Sequence, residues 1–265
     1  MRKSLLALGV VAAVSAVPAS AEYLYGFGGV YLDYQKWDHE FTSNNGDSTS
    51  ARNKAVLGIE GGAGFTWGEI YGFYDYENFN KGDSEKHGAS LKGTAHIYLG
   101  DTGASLYGQV YDTGSAGFGE HNRVVGFGYT DLVSDNGWFK PWIGVHHVST
   151  TGTVCTGTID NQGDCSVDMT NTSGWNGYMG GWTAGYNFNI AGQQFSTVNW
   201  NEIEFDRNDR YAQSQGGKTG VNGGLSLFWH PVKNVKTGIT YRYTYNKLGI
   251  KGWNDFAIYR VQYDF

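Results

Sequence analysis

Proline is nearly absent, with 3 residues in 265 against 41 glycines. No G-X-Y period accompanies the glycine, which excludes collagen. Cysteine is almost as scarce, at 2 residues, and both lie in "CTGTIDNQGDC". No histidine or third cysteine shares that stretch, so it makes a poor metal site. Past Val17 no run of about 20 apolar residues occurs, which excludes an α-helical membrane protein. Bases are outnumbered: 19 Lys+Arg face 25 Asp+Glu, for a formal charge of -6. Nucleic acid is therefore not expected as a partner, because phosphate binding needs a basic face.

Aromatic residues are what the chain has in quantity, at 16%, including 19 Tyr and 9 Trp. That abundance argues against disorder and suits β-structure with tight turns. The N-terminus reads as an export leader. Arg2 and Lys3 precede a small, apolar run from Leu5 to Val17, and Ala19-Ser20-Ala21 supplies an A-x-A cleavage site. We expect a signal peptide over 1–21 and a mature domain over 22–265. In an exported protein Cys155 and Cys165 are expected to form a disulfide. It would close a short loop and stabilise it by roughly 2–3 kcal/mol.

The mature chain alternates with period two. In "ASLKGTAHIYL", Ala89, Leu91, Ala95, Ile97 and Leu99 fall on one face and Ser90, Lys92, Thr94, His96 and Tyr98 on the other. "GYMGGWTAGYNFNI", "GVNGGLSLFWH" and "KTGITYRYTYN" behave likewise, and a helix would need period 3.6. The runs are about 10–14 residues, longer than ordinary strands and long enough to cross a bilayer obliquely. The expected fold is an all-β transmembrane antiparallel barrel of about 12 strands. We place them near 23–36, 54–66, 69–79, 88–100, 103–114, 121–133, 138–149, 176–190, 193–207, 218–231, 235–248 and 252–265.

Short turns alternate with longer polar loops, which is the layout of an outer-membrane barrel with both termini at the periplasmic side. The longer connections are Trp37–Asn53, Asn80–His87, Gly114–Glu120, Ser149–Gly174 and Asn208–Gly217. Three places read badly. The first strand has no clean apolar face, the alternation slips at Thr197–Trp200 as a bulge would cause, and Pro141 falls mid-strand.

The chain ends "IYRVQYDF", with Tyr259, Val261, Tyr263 and Phe265 alternating against Arg260, Gln262 and Asp264. A last strand that must pair with the first to close a barrel explains a tail of this kind. Alternation then assigns residues to the lumen. The bases are Lys92, Arg123, Lys140, Arg242 and Arg260, with His96 and His230. The acids are Glu60, Asp75, Glu77, Glu202, Glu204 and Asp206. The aromatics include Tyr71, Phe73, Tyr98, Tyr107, Tyr111, Trp142 and Phe228. Charges of both signs in a barrel lumen need water or partners. Flat rings beside them suit a solute with a ring and hydroxyls, a nucleoside or a sugar. The expected binding set is Phe73, Asp75, Glu77, Lys92, Tyr98, Tyr107, Trp142, Glu202, Glu204, Phe228, Arg242 and Arg260.

"GIEGGAGFTWGEIYGFYDYEN" (58–78), "GWTAGYNF" (181–188) and the closing "YRVQYDF" resemble the Tsx-like nucleoside-specific channel family, including its OmpK-type branch. The resemblance implies a monomeric twelve-stranded outer-membrane barrel in a Gram-negative bacterium, with a narrow pore whose wall binds nucleosides. It implies lipid and lipopolysaccharide around the wall, barrel-assembly machinery reading the terminal Phe265, and loops that bacteriophage can use. The expected function is passive uptake of small solutes. A plugged structural barrel or surface receptor is the alternative, and a barrel enzyme the third reading. No cofactor, metal or catalytic set is expected: His146 and His147 point to opposite faces of a strand, and Glu202, Glu204 and Asp206 share one strand rather than flank a substrate.

Overall fold

The computed structural model describes residues 22–37, 52–82, 87–115, 117–155 and 168–265. The expected leader, residues 1–21, and Cys165 lie outside the described residues, so the disulfide does too.

Among the described residues there are fourteen strands: β1 (Tyr23–Lys36), β2 (Lys54–Phe65), β3 (Gly68–Glu77), β4 (Gly88–Tyr98), β5 (Ala104–Ser115), β6 (Phe118–Tyr129), β7 (Leu132–Val133), β8 (Gly137–Cys155), β9 (Asp168–Thr170), β10 (Ser173–Ile190), β11 (Gln193–Phe205), β12 (Gly220–Val232), β13 (Val235–Lys247) and β14 (Ile250–Asp264). Twelve of them are long and form the ring. Each pairs antiparallel with the next, β8 pairs directly with β10, and β14 returns to β1. β7 continues β6 along β8, and β9 extends β8 beyond the wall. The expected twelve-stranded closed barrel is what forms.

The seam runs from Gly29↔Asp264 to Lys36↔Ala257, and the Phe265 N–H donates to the Gly28 carbonyl at 2.9 Å. Period-two alternation sorts the two faces. Gln262 is 1% exposed and points inward, while Phe265 is 69% exposed and points out. Outward Leu, Ile, Val, Tyr and Trp clothe the cylinder in apolar surface, the face that a bilayer accepts.

Tight turns close one end. At Ala191-Gly192 both residues have positive φ, 50° and 77°, the geometry of the two-residue turn that matches strand twist. The other end carries the longer connections, with three differences from expectation. Residues 114–120 are mostly strand, because β5 and β6 run on to Ser115 and Phe118. β8 and β10 reach past the wall to Cys155 and Ser173. The stretch 208–217 holds a helix, α1 (Asp209–Gln215).

The three irregular places have physical reasons. β1 lacks a clean face because both its faces carry rings. Inward Tyr25, Phe27 and Tyr31 lie over Gly64, Gly62 and Gly58 of β2, where a Cβ on Gly58 would fall 2.1 Å from the Tyr31 ring. At 197–200 there is no bulge: β11 keeps register with both neighbours from end to end. The slip comes from Trp200 facing in and Asn199 and Asn201 facing out. The outward amides are satisfied locally, Trp182 Nε1 donating to Asn199 at 2.8 Å and the Tyr243 hydroxyl to Asn201 at 2.9 Å. Pro141 sits where β6 has ended and β7 not yet begun, as register steps from Gly128↔Trp142 to Leu132↔Phe139. Its missing N–H faces a gap in the ladder.

Candidate functional site

α1 is built locally and then tied into the loop end of the bore. Asn208 caps it, its side chain accepting from the Tyr211 N–H at 2.8 Å. Gly216 ends it with φ 90°, the left-handed stop that glycine favours. Asn208 Nδ2 also donates to Asn176 on β10 at 3.0 Å. The anchored helix drives Tyr211 inward until it is fully buried.

Around Tyr211 a network spans the bore. Lys247 on β13 ion-pairs with Glu204 on β11 at 2.5 Å and Glu120 on β6 at 3.4 Å. Its Nζ donates to the Tyr211 hydroxyl at 2.7 Å, and that hydroxyl donates to Glu120 at 3.0 Å. Arg207 Nε donates to the second oxygen of Glu204 at 2.8 Å. Below them His146 bridges Asn122 and Asn176. β6 and β13 stand nearly opposite in the ring, so the Lys247–Glu120 contact crosses it. Burial, with Glu120 and Glu204 adding, pushes the Tyr211 phenol well above its ordinary pKa. The hydroxyl keeps its proton and acts as donor to Glu120.

Midway along the bore a second bridge crosses. Lys92 on β4 meets Glu202 on β11 at 2.6 Å. Gln109 donates to the same Glu202 oxygen at 2.9 Å and Asn222 to the other at 3.3 Å. Trp200, one inward step from Glu202, lies beneath Lys92 at 5.6 Å and Arg242 at 4.3 Å from its ring centroid. Arg242 donates to Asn222 at 2.7 Å and also lies over Phe256 at 5.3 Å. Tyr107 and Trp142 stack at 4.5 Å on the opposite wall, and the Tyr107 hydroxyl donates to Gln109 at 2.6 Å.

The turn end is more open. Inward Tyr25 and Phe27 remain 46% and 53% exposed. Glu69 is the hub there, holding Lys140 at 2.5 Å and accepting from Tyr25 at 3.0 Å and Tyr98 at 3.4 Å. Along the seam Arg260 makes a bidentate pair with Asp33, 2.8 and 2.7 Å, and lies 3.6 Å over Tyr31. Glu60 accepts from Tyr71 and Gln262.

The expected binding residues thus face the bore but do not form one pocket. Lys92, Glu202, Tyr107, Trp142 and Arg242 come together at the middle. Phe73 lies opposite Lys92 in the β3–β4 register. Asp75 accepts from the Tyr31 hydroxyl at 2.6 Å. Glu77 pairs with Lys54 at 2.5 Å, and Glu204 belongs to the loop-end network. Tyr98, Phe228 and Arg260 lie elsewhere, Phe228 buried beneath Lys236 at 5.6 Å.

Two lumen assignments are corrected. Arg123 faces outward and pairs with Asp112 at 2.5 Å, since the inward residues of β6 are Glu120, Asn122 and Val124. Asp206 lies past the end of β11, exposed, with φ 57°; Arg207 turns inward in its place. Sequence reasoning missed Glu120, Arg207, Tyr211 and Lys247, all placed in or beside connections. It also missed Trp200, although counting by twos from Glu202 places that ring inside.

The family model described as nucleoside-specific channel-forming protein, Tsx, matches residues 30–265. Among solved structures, the chain resembles the NanC porin at 12% identity and a TM-score of 0.49, covering 90% of this chain and 98% of that one. An outer-membrane channel from Pseudomonas putida F1 is similar at 9% identity and 0.43, covering 94% and 100%. The β-domain of the Bordetella autotransporter BrkA follows at 15% identity and 0.39, covering 91% and 98%. At these scores the structural likenesses carry no functional argument, and the family match stands alone.

Proposed function

The chain belongs to the Tsx family of nucleoside-specific channel-forming proteins, and from that premise we propose that its bore passes nucleosides through the mid-barrel site. It is a Gram-negative outer-membrane protein and a passive channel for small solutes. The tight turns then face the periplasm and the longer connections the outside.

The observation that carries the nucleoside reading is Trp200. Its ring faces the bore beside a hydrogen-bonding cluster of Lys92, Glu202, Gln109 and Asn222. A base stacking on it gains about 1–3 kcal/mol. Ribose hydroxyls, each donor and acceptor, exchange with amides and charges that already bond one another. Such exchange keeps the solute's polar groups satisfied at each step, which lets it leave as readily as it enters. The role is binding and passage, with no covalent step, and we expect no lipid hydrolysis by the purified protein.

The test is single-channel recording in a planar bilayer. Adenosine added to the wild-type protein reduces the current in a saturable way. Unchanged current at millimolar adenosine sinks the nucleoside reading and leaves a general small-solute channel. We also propose export by the 1–21 leader, checked by N-terminal sequencing starting at Glu22. A Cys155–Cys165 bridge is checked by alkylation that requires prior reduction.

A further inference from the structure

His146 is fully buried near the outer end of the bore, and the two amides that flank it dictate its protonation. Asn122 Nδ2 donates to Glu120 at 2.8 Å, which leaves the Asn122 oxygen for His146 Nε2, also at 2.8 Å. Nε2 therefore carries the proton. The Asn176 oxygen accepts from the Asn208 N–H at 2.9 Å and from Asn208 Nδ2 at 3.0 Å. That leaves the Asn176 NH2 to donate to His146 Nδ1 at 3.2 Å. Nδ1 is therefore an acceptor, and the ring is neutral.

A closed circuit of hydrogen bonds results. It runs from His146 through Asn176 to Asn208, on to Tyr211, and back through Glu120 and Asn122. The first turn of α1 is thus held to the wall from two sides. A second proton on the ring would break the circuit, because an Nδ1–H would face the Asn176 NH2, donor against donor. Turning the Asn176 amide over relieves His146 but points its NH2 at the two donors of Asn208. The tie to α1 is lost either way. The charged groups around the ring offer no substitute. On β11, Glu204 stands 4.0 Å from Nδ1, beyond hydrogen-bond reach, and is already taken by Arg207 and Lys247. Glu202 on the same strand is taken by Lys92. β6 presents Glu120, held by Tyr211 and Lys247. β13 presents Lys247 itself, α1 presents the Tyr211 phenol, and β10 carries no charged side chain.

We infer that His146 is a proton-operated latch on α1: neutral, it keeps Tyr211 across the bore, and protonated, it lets the helix swing clear. The released state holds one proton more at this ring than the latched state, so a fall in pH favours release. The inference needs only a channel and does not depend on which solute passes.

The experiment records the purified wild-type channel in planar bilayers with KCl alone, from about pH 8 down to about pH 4, a span that covers imidazole titration in proteins. Acid is expected to shorten the dwell in the lower-current state roughly tenfold, through loss of the Asn208 bonds to Asn176, with steps to a larger current. His146→Gln supplies an amide that donates to Asn122 and accepts from Asn176 without titrating, so its dwell times should stay long in acid. Asn176→Asp supplies a carboxylate that accepts from Nδ1–H and from Asn208 together, so α1 should stay latched there too. Wild-type dwell times that do not change with pH overturn the inference. An acid response undiminished in His146→Gln also overturns it and assigns the response to Glu120 or Glu204. Each variant must first show the folded, heat-modifiable mobility. If His146→Gln does not, Asn176→Asp decides, and if neither does, the wild-type titration decides.

Discussion

Lys247 shows how little of the bore's stability is interchangeable. It is almost fully buried between Glu120 and Glu204 and braces Tyr211 as well. Lys247→Met leaves Glu120 without a counter-charge and Glu204 with Arg207 alone, which costs about 3–5 kcal/mol. Denaturant unfolding in detergent, followed by tryptophan fluorescence, is expected to show that loss. Lys218→Met is the control. Lys218 meets Asp209 at 2.6 Å on the surface, where both side chains are exposed and such pairs add little, so its unfolding curve should overlay the wild type. Trp200→Ala tests the solute site itself. It removes a stacking face worth about 1–3 kcal/mol, so half-block by adenosine should require roughly 5- to 150-fold more solute. An unchanged blocking curve would remove Trp200 from the site.

At the scale of elements, the strands were the legible part and the connections were not. Lys92 and Glu202 could be assigned inward because side chains on a strand alternate strictly. Nothing in that rule shows that they touch, since contact across a ring depends on which strands stand opposite. Tyr211 was illegible for another reason: "NDRYAQSQGG" looks like a polar loop, and its inward turn depends on tertiary bonds from Asn208 to Asn176 and from Tyr211 to Glu120. Arg123 was misplaced by one step of parity within β6, whose expected start at 121 left out the inward Glu120, and Asp206 was misplaced because β11 ends at Phe205. Two predictions belong here. Asn208→Ala removes the cap of α1, about 1 kcal/mol, and should raise open-channel noise by letting Tyr211 leave its contacts more often. Lys92→Gln cuts the mid-bore bridge and leaves Glu202 with amide partners only, so the reversal potential in a KCl gradient should move toward cation selectivity.

For the whole molecule, closure is the governing event. The wall has no edge only because Tyr259–Phe265 pairs with β1, ending in the Phe265 bond to Gly28. Deleting 258–265 should leave a chain that never acquires heat-modifiable mobility, because both β1 and β13 would then present open edges to lipid. A truncated chain that still forms a compact, protease-resistant barrel would show that the ring closes by other means.

Tyr25 and Phe27 keep their faces wet at the periplasmic mouth, whereas Tyr211 and Lys247 stopper the outer one. A visitor can therefore reach Trp200 by a wide doorway or a narrow one. Nothing is consumed in transit, so the two routes must agree on a single equilibrium constant, and only their speeds can differ. Arrivals from the periplasmic chamber should be frequent and departures that way equally favoured, which makes the outer stopper, and not the resting place at mid-bore, the element that sets the tempo of uptake.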